Sequence, residues 1–291
     1  MGSEIVQCVP NFSEGRDAQK IAQIVDAVHQ CPGVRLVDWS ADPDHNRMVV
    51  TFVGGLDAVT VAARAAAAKA IEIIDLRHHE GVHPRLGAID VLPFVPVKNV
   101  SMDACAEAAR AVARQLGADY DLPAFLYEYA SPVNRSLPEI RKTAFDGLRP
   151  DYGPNAPHPT AGAVVIGARQ PLIAFNVNLT DNTPAIARRI ARELREGGVA
   201  GFTGVRSLGL ALPSRAMSQV SMNIVRTESV RLHALYDYIA KRAEELGTQA
   251  VESELIGAMP GYSAFALLQD SIALTGLKPG QVLWENWPEQ D

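Results

Sequence analysis

The apolar stretch Ala88-Ile89-Asp90-Val91-Leu92-Pro93-Phe94-Val95-Pro96 decides the fold class, because it predicts a strand set between two helices. Ser101 is a good N-cap for the second of these helices, and Gly117 is a good stop. The predicted order of elements, β-α-β-β-α-β-α-β, is typical of an α/β sandwich with helices on one face of the sheet. The predicted strands of this first part are 4–9, 34–39, 47–54, 88–96 and 123–129, and its predicted helices are 17–30, 57–75 and 101–116.

A second part of the chain repeats a rough order of two strands, a helix and a strand, so a duplicated α+β unit is expected. Between the two parts, residues 131–159 contain six prolines and are predicted to be a linker. The sequence therefore predicts one domain over residues 1–150 and another over residues 151–291. The elements predicted in the second part are a hairpin of strands 162–168 and 172–179, helices 184–196, 229–246 and 264–273, and strands 205–212, 219–225 and 251–258.

Composition limits the classes of function. The 291 residues carry a net charge of -6, which argues against nucleic-acid binding and against binding to anionic membranes. The chain has no apolar run near twenty residues and no signal peptide, so we expect a cytoplasmic protein. The three cysteines, Cys8, Cys31 and Cys105, have the spacing of neither a zinc site nor a redox pair.

Three of the seven histidines, His78, His79 and His83, lie within six positions. Gly81 and Pro84 interrupt any helix there and predict a loop, a common location for catalytic groups. General acid or base catalysis is the favoured interpretation, because imidazole exchanges protons near neutral pH. The alternatives are exposed loop histidines and a metal site, although this loop cannot display histidines at helical spacing.

Two further polar segments are candidates for a binding site. The first is the end of a predicted loop, Asp42 to Asn46, together with Arg47, which follows it. The guanidinium of Arg47 could bind a substrate carboxylate. A solvated turn is the simpler interpretation of that loop unless it meets the His83 loop in space. Residues 153–162 contain three prolines and two glycines, which suit either a linker or a rigid wall of a binding cleft. Nucleotide-binding glycine motifs are absent from the sequence.

Several segments, in order along nearly the whole chain, together resemble the glutamate formiminotransferase family. Taken together, these segments are far more specific to the family than any one of them is alone. The matching segments are Cys8 to Arg16, Asn46-Arg47 with Thr51 to Gly54, His83 to Phe94, Gly167 to Arg169, Leu172 to Leu179, and Gln219 to Asn223.

This resemblance implies an enzyme that transfers the formimino group from N-formimino-L-glutamate to tetrahydrofolate, its co-substrate, in histidine degradation and one-carbon metabolism. It also implies two ferredoxin-like α/β subdomains with a folate cleft between them, and a homodimer. The family's catalytic histidine falls on His83. This chain departs from the vertebrate members at Ser40, where they carry Asp, and at His158. The family's folate-binding stretch falls on Gly153, Pro154, Asn155, Ala156, Pro157, His158, Pro159, Thr160, Ala161 and Gly162.

The reaction needs a base for the proton of folate N5 and an acid for the departing glutamate nitrogen, and His83 is expected to serve as both. Arg47 and Arg85 are expected to bind substrate carboxylates. A carboxylate among Asp42, Asp44 and Asp90 is expected to hold the amidinium of the formimino group. Three alternatives remain open: a folate-dependent formyltransferase acting on glutamate or a related amino acid, a folate-binding protein without turnover, and a metal-dependent hydrolase.

Overall fold

The computed structural model describes residues 3–81, 85–195 and 197–272, which form two compact units. The first unit comprises residues 3–171 together with Ile256–Ala258, and the second comprises Leu172–Leu255 together with residues 259–272. Each unit combines helices with a sheet, which confirms the predicted α/β class. The boundary expected between residues 150 and 151 lies inside the first unit, which continues to Pro171.

The first unit contains a sheet with helices against it. Asp17 begins the first helix by accepting the backbone N–H groups of Gln19 and Lys20, as a good N-cap should. The elements are β1 (Ile5–Cys8), β2 (Asn11–Phe12), α1 (Ala18–His29), β3 (Val34–Asp42), β4 (Arg47–Gly54), α2 (Leu56–Ile73), β5 (Ile89–Lys98), α3 (Met102–Tyr120), β6 (Ala124–Glu128), α4 (Leu137–Thr143) and β7 (Val164–Ala168).

Within the described residues, the first sheet has seven strands, and its core topology is ferredoxin-like. β3, β4, the pair β1 and β2, and β5 follow one another across the sheet, and β7 and β6 extend it beyond β5. β7 runs parallel to both of its neighbours, β5 and β6. The main core contains buried side chains of α1, α2 and α3 packed against one face of the sheet. This arrangement is the β-α-β-β-α-β motif with two added parallel strands.

Helix α3 does not end at Gly117, contrary to the prediction. It continues to Tyr120, and Asp121 closes it in the left-handed conformation, with φ of 50°. Gly117 is needed for another reason: a Cβ at this position would lie 2.9 Å from the backbone nitrogen of Gly153. A distant segment of the chain packs there, and this could not be inferred from neighbours in sequence.

The proline-rich segment 131–159 is not a linker, which corrects the prediction. It contains α4, which begins with a capping box between Ser136 and Glu139. The segment is held to β6 by Asp151, which accepts the N–H of Leu126 at 2.8 Å and pairs with Arg135 at 2.7 Å. A small second core, on the face of the sheet opposite α1 to α3, includes buried Ile140 of α4.

The second unit has the order β-α-β-β-α-β, and its strands lie in the order β11-β8-β10-β9. This is the ferredoxin-like arrangement that the resemblance implied. The predicted hairpin of residues 162–179 is wrong, because β7 pairs in the first sheet and β8 pairs with β10. Among the described residues, no helix combines the length and apolar character needed to cross a lipid bilayer. The elements are β8 (Ile173–Leu179), α5 (Pro184–Leu194), β9 (Val205–Leu212), β10 (Met217–Ile224), α6 (Leu232–Glu245), β11 (Ala250–Ile256) and α7 (Gly261–Ile272).

Candidate active site

Three loops of the first unit lie against one another, and Asn46 connects them. Its Oδ1 accepts the N–H of Gly15 at 2.9 Å, and its Nδ2 donates to the carbonyl of Glu80 at 2.9 Å. The Asn46 carbonyl also lies 3.1 Å from Nε2 of His79. Asn46 is buried and has a left-handed backbone, with φ of 46°, which asparagine tolerates better than most residues. Residues 13–16, 42–47 and 79–81 are therefore joined at one side chain.

Two glycines permit this close packing. A Cβ at Gly15 would lie 2.2 Å from the carbonyl oxygen of Asp42, and a Cβ at Gly81 would lie 2.4 Å from the carbonyl oxygen of His45. Neither contact is possible for a real side chain, so the loops can approach only because both residues lack one. Both glycines fall within or beside the segments that resemble the family.

The residues on both sides of His83 are held by the same loop. Gly81 packs against His45 and Asn46, and Nη2 of Arg85 donates to the carbonyl of His45 at 3.1 Å. The polar loop of residues 42–47 therefore contacts the residues that flank His83. This contact favours a functional role for the polar loop over a solvated turn. His83 itself, with Val82 and Pro84, lies outside the described residues.

His79 is a neutral structural histidine in this arrangement. Burial and the nearby Arg85 guanidinium lower the pKa of His79. Arg85 contacts its Nδ1, while Nε2 faces the Asn46 carbonyl. Nη1 of Arg85 also lies 2.8 Å from Nε2, so the guanidinium contacts both ring nitrogens.

A second cluster surrounds Asp90 on β5. Its side chain is fully buried; Oδ2 accepts from both Arg47 and Arg141, and Oδ1 accepts the N–H of Leu86 at 3.0 Å. Arg47 is further fixed by Asn11, whose Oδ1 accepts from Nη2 at 2.8 Å and from Nε at 3.2 Å. Burial tends to raise the pKa of Asp90, but the two guanidinium groups hold it below its usual range.

Asp90 is therefore not available to hold a substrate amidinium. Of the three expected carboxylates, Asp42 and Asp44 remain. Of the others, Asp42 accepts the backbone N–H of His45 at 2.7 Å and so shapes the loop, and Asp44 also has an interaction of its own. Asp90 instead fixes Arg47 in place and holds the backbone at Leu86, three residues after His83.

The predicted folate-binding stretch forms a turn that lies against the other end of the histidine loop. Nδ1 of His158 accepts the N–H of Ala161 at 3.0 Å, and the backbones of His158 and Gly162 exchange hydrogen bonds of 2.8 and 3.0 Å. Ala161 then accepts the N–H of Ala88 at 2.9 Å. A Cβ at Gly87 would lie 2.0 Å from the Ala163 carbonyl oxygen, so only glycine fits there. Residues 153–157 of the stretch are exposed to solvent.

Comparison with known proteins gives a consistent result over both units. Residues 5–169 match the family described as "Formiminotransferase domain, N-terminal subdomain", and residues 174–269 match "Formiminotransferase domain". The chain belongs to the formiminotransferase family. It is 39% identical to a glutamate formimidoyltransferase of Streptococcus pyogenes serotype M1, over 89% of this chain and 90% of that protein.

Two other members of the formiminotransferase family show the range of lengths. A glutamate formimidoyltransferase of Thermoplasma acidophilum is 36% identical over 96% of both chains. A formimidoyltransferase-cyclodeaminase of Rattus norvegicus is 41% identical over 89% of this chain but only 50% of its own length. The chain thus spans about half the length of the formimidoyltransferase-cyclodeaminase of Rattus norvegicus.

Cys8 and Cys105 are unsuited to thiol chemistry because they are buried. Cys8 and Cys105 are buried and Cys31 is partly buried. Burial raises the pKa of Cys8 well above its usual value and that of Cys105 to about 11, so both remain protonated at neutral pH. In the described part of the chain, no group of three histidine, cysteine or acidic side chains is placed to hold a metal ion.

Sequence reasoning missed Arg141 and the role of Asn11 in this formiminotransferase fold. Arg141 lies in the segment predicted to be a linker, although Ser136 and Glu139 have the spacing of a capping box there. Asn11 lies just beyond the strand predicted over residues 4–9, whereas in the structure it begins β2 and binds Arg47. A motif position identifies such a residue as a candidate, but its partner lies far away in sequence.

Proposed function

We propose that the chain transfers the formimino group from N-formimino-L-glutamate to N5 of tetrahydrofolate, giving 5-formiminotetrahydrofolate and L-glutamate. The observation that carries this proposal is the meeting of three loops through Asn46. The loops include the family motif residues Gly15 and Asn46, and one of them ends at Gly81, two residues before His83 in the sequence. Residues 161–163 lie against residues 86–88 on the other side of the same loop. The loop between these two contacts contains His83 in sequence, and an imidazole is suited to moving a proton between two substrate nitrogens.

We assign that proton transfer to His83. The formimino group on nitrogen is an amidine that is protonated at neutral pH, so its carbon is already electrophilic. Attack by folate N5 forms the new C–N bond, and neutral His83 takes the proton from N5. The resulting imidazolium then protonates the glutamate nitrogen, whose bond to the carbon breaks, and the amidinium is regenerated on folate. One histidine acting in turn as base and acid contributes typically 10²–10⁴-fold to the rate.

The binding roles follow the same proposal. Arg47 is oriented by Asn11 and Asp90, and a preoriented guanidinium suits a carboxylate ligand. Arg85 contacts His79 and the His45 carbonyl, so it would both hold the loop of residues 42–47 and bind a substrate carboxylate. The turn of Gly153–Gly162, with its exposed first half, would contact folate.

The reaction is tested by measuring L-glutamate release from N-formimino-L-glutamate with and without tetrahydrofolate. We expect release only with tetrahydrofolate, and equal amounts of glutamate and 5-formiminotetrahydrofolate. Glutamate release without tetrahydrofolate would indicate a hydrolase and refute the transfer. Faster turnover with 5-formyltetrahydrofolate and glutamate than with the formimino pair would instead support a formyltransferase.

We also propose that the protein is a cytoplasmic homodimer acting in histidine degradation and binding neither nucleic acid nor membranes. Its net charge of -6 supports the last point, because both surfaces are anionic. Light scattering coupled to size-exclusion chromatography measures the mass in solution. A mass near that of one chain would contradict the dimer.

A further inference from the structure

The cluster around Asp90 carries more positive charge than its carboxylate neutralises. One carboxylate, fully buried, accepts from two guanidinium groups, those of Arg47 and Arg141. The side chains of these arginines are only 13% and 20% exposed, so water screens the surplus charge poorly. A site with two cations and one anion is one negative charge short of neutrality.

Arg141 also has an unused hydrogen-bond donor. It bonds to Asp90 through Nη2, but its buried Nε has no acceptor among the described residues. A buried N–H without a partner costs free energy, and a charged guanidinium costs more than a neutral group. Burial lowers the pKa of Arg47; Asp90 opposes that shift, and the neighbouring Arg141 guanidinium adds to it.

The fold holds Arg141 at this place. It lies in the last turn of α4, next to Ile140, whose side chain is buried in the small core under the sheet. The capping box of Ser136 and Glu139 fixes the beginning of the same short helix. Arg141 therefore approaches Asp90 from a different element than Arg47 does, and both guanidinium groups bond to the same carboxylate oxygen, Oδ2.

We propose that Arg141, together with Arg47, binds the α-carboxylate of the donor amino acid. This inference rests on the proposed function and names the group that the site recognises. In N-formimino-L-glutamate, the reacting nitrogen and the α-carboxylate are attached to the same carbon. In tetrahydrofolate, the whole p-aminobenzoyl group separates N5 from the glutamate carboxylates. Asp90 also holds the backbone of Leu86, three residues after His83 in the sequence, so we assign this cluster to the substrate whose carboxylate lies close to its reacting nitrogen.

The test is calorimetric titration with L-glutamate and with 4-aminobutyrate, which lacks the α-carboxylate. We expect Arg141→Gln to weaken L-glutamate binding about ten- to hundred-fold, as for the loss of a hydrogen bond to a charged group. The weak binding of 4-aminobutyrate should not change. In steady-state assays the same variant should raise KM for N-formimino-L-glutamate and leave KM for tetrahydrofolate unchanged, and Arg141→Lys should retain part of the affinity.

Arg135→Gln is the matched control, because Arg135 is similarly buried but pairs one-to-one with Asp151. It should bind L-glutamate as the wild type does, and circular dichroism on both variants verifies folding. Wild-type protein that fails to bind L-glutamate, or folded Arg141→Gln protein with unchanged affinity, overturns the inference. So does a loss that appears for tetrahydrofolate instead. Arg141-dependent glutamate binding without any transfer would refute the proposed reaction while leaving this site standing.

Discussion

Replacing Asp90 with asparagine should destabilise the first unit strongly. The substitution keeps the shape but removes the charge that both Arg47 and Arg141 contact. Breaking a buried ion pair by removing one partner costs about 3–5 kcal/mol, because a buried charge is left uncompensated. Since the arginines are only 13% and 20% exposed, water replaces the carboxylate poorly, and we expect a loss within that range, about 3–5 kcal/mol.

Urea denaturation followed by circular dichroism measures this change in the free energy of unfolding. Glu72→Gln is the control, because Glu72 pairs with Lys69 on the surface and is 65% exposed. Such surface pairs contribute about 0–1 kcal/mol. The pKa of Asp90 is lowered in the folded state, so its contribution should persist above its ordinary pKa and be lost as the pH falls through the folded value. A loss at neutral pH no larger than that of the control would refute the buried ion cluster.

Three further outcomes are expected. Gly87→Ala should lower the free energy of unfolding by about 1–3 kcal/mol, because its Cβ would lie 2.0 Å from the Ala163 carbonyl oxygen; an unchanged melting temperature in calorimetry would contradict the contact. The lowered pKa of His79 means that the unfolded chain binds more protons, so stability should fall as the pH drops below about 6.5, and His79→Gln should flatten that slope in urea titrations. Cys31 should react with Ellman's reagent in the native protein, whereas buried Cys8 should react only after unfolding; equal native rates would contradict its burial.

Local patterns predicted the elements of the sheet well. The strands over residues 47–54 and 205–212 begin and end where the sequence places them. α1, predicted over residues 17–30, spans Ala18–His29, because the apolar spacing and the Asp17 cap act within a few residues of each other. Periodicity and capping are local, so the sequence alone contains them.

Features that depend on distant partners were predicted less well. The hairpin of residues 162–179 was inferred from two adjacent strand patterns, but each strand pairs with a different sheet. Gly117 was predicted to end α3, but the structure shows that glycine is needed there because the backbone of Gly153 packs against it. Prolines in the segment 131–159 concealed α4, since proline at the first turn of a helix is as acceptable as proline in a loop.

In the candidate site, too, the sequence predicted the residues but not the contacts between them. Motif positions identified Asn46, Arg47 and the histidine loop as candidates, but not that Asn46 holds Gly15 and Glu80 together. The side-chain chemistry of a candidate residue can be predicted from its type. Its partners cannot, because they are separated by more than thirty positions in the chain.

His83, whose sequence neighbours Gly81 and Arg85 contact the loop of residues 42–47, is proposed as the group that moves the proton. The most direct measurement is kcat of His83→Gln, with tetrahydrofolate affinity determined in parallel and His78→Gln, an exposed neighbour, as control. We predict that kcat falls about 10²–10⁴-fold while tetrahydrofolate still binds, and that the control turns over normally. A kcat close to that of the wild type in His83→Gln would contradict the account.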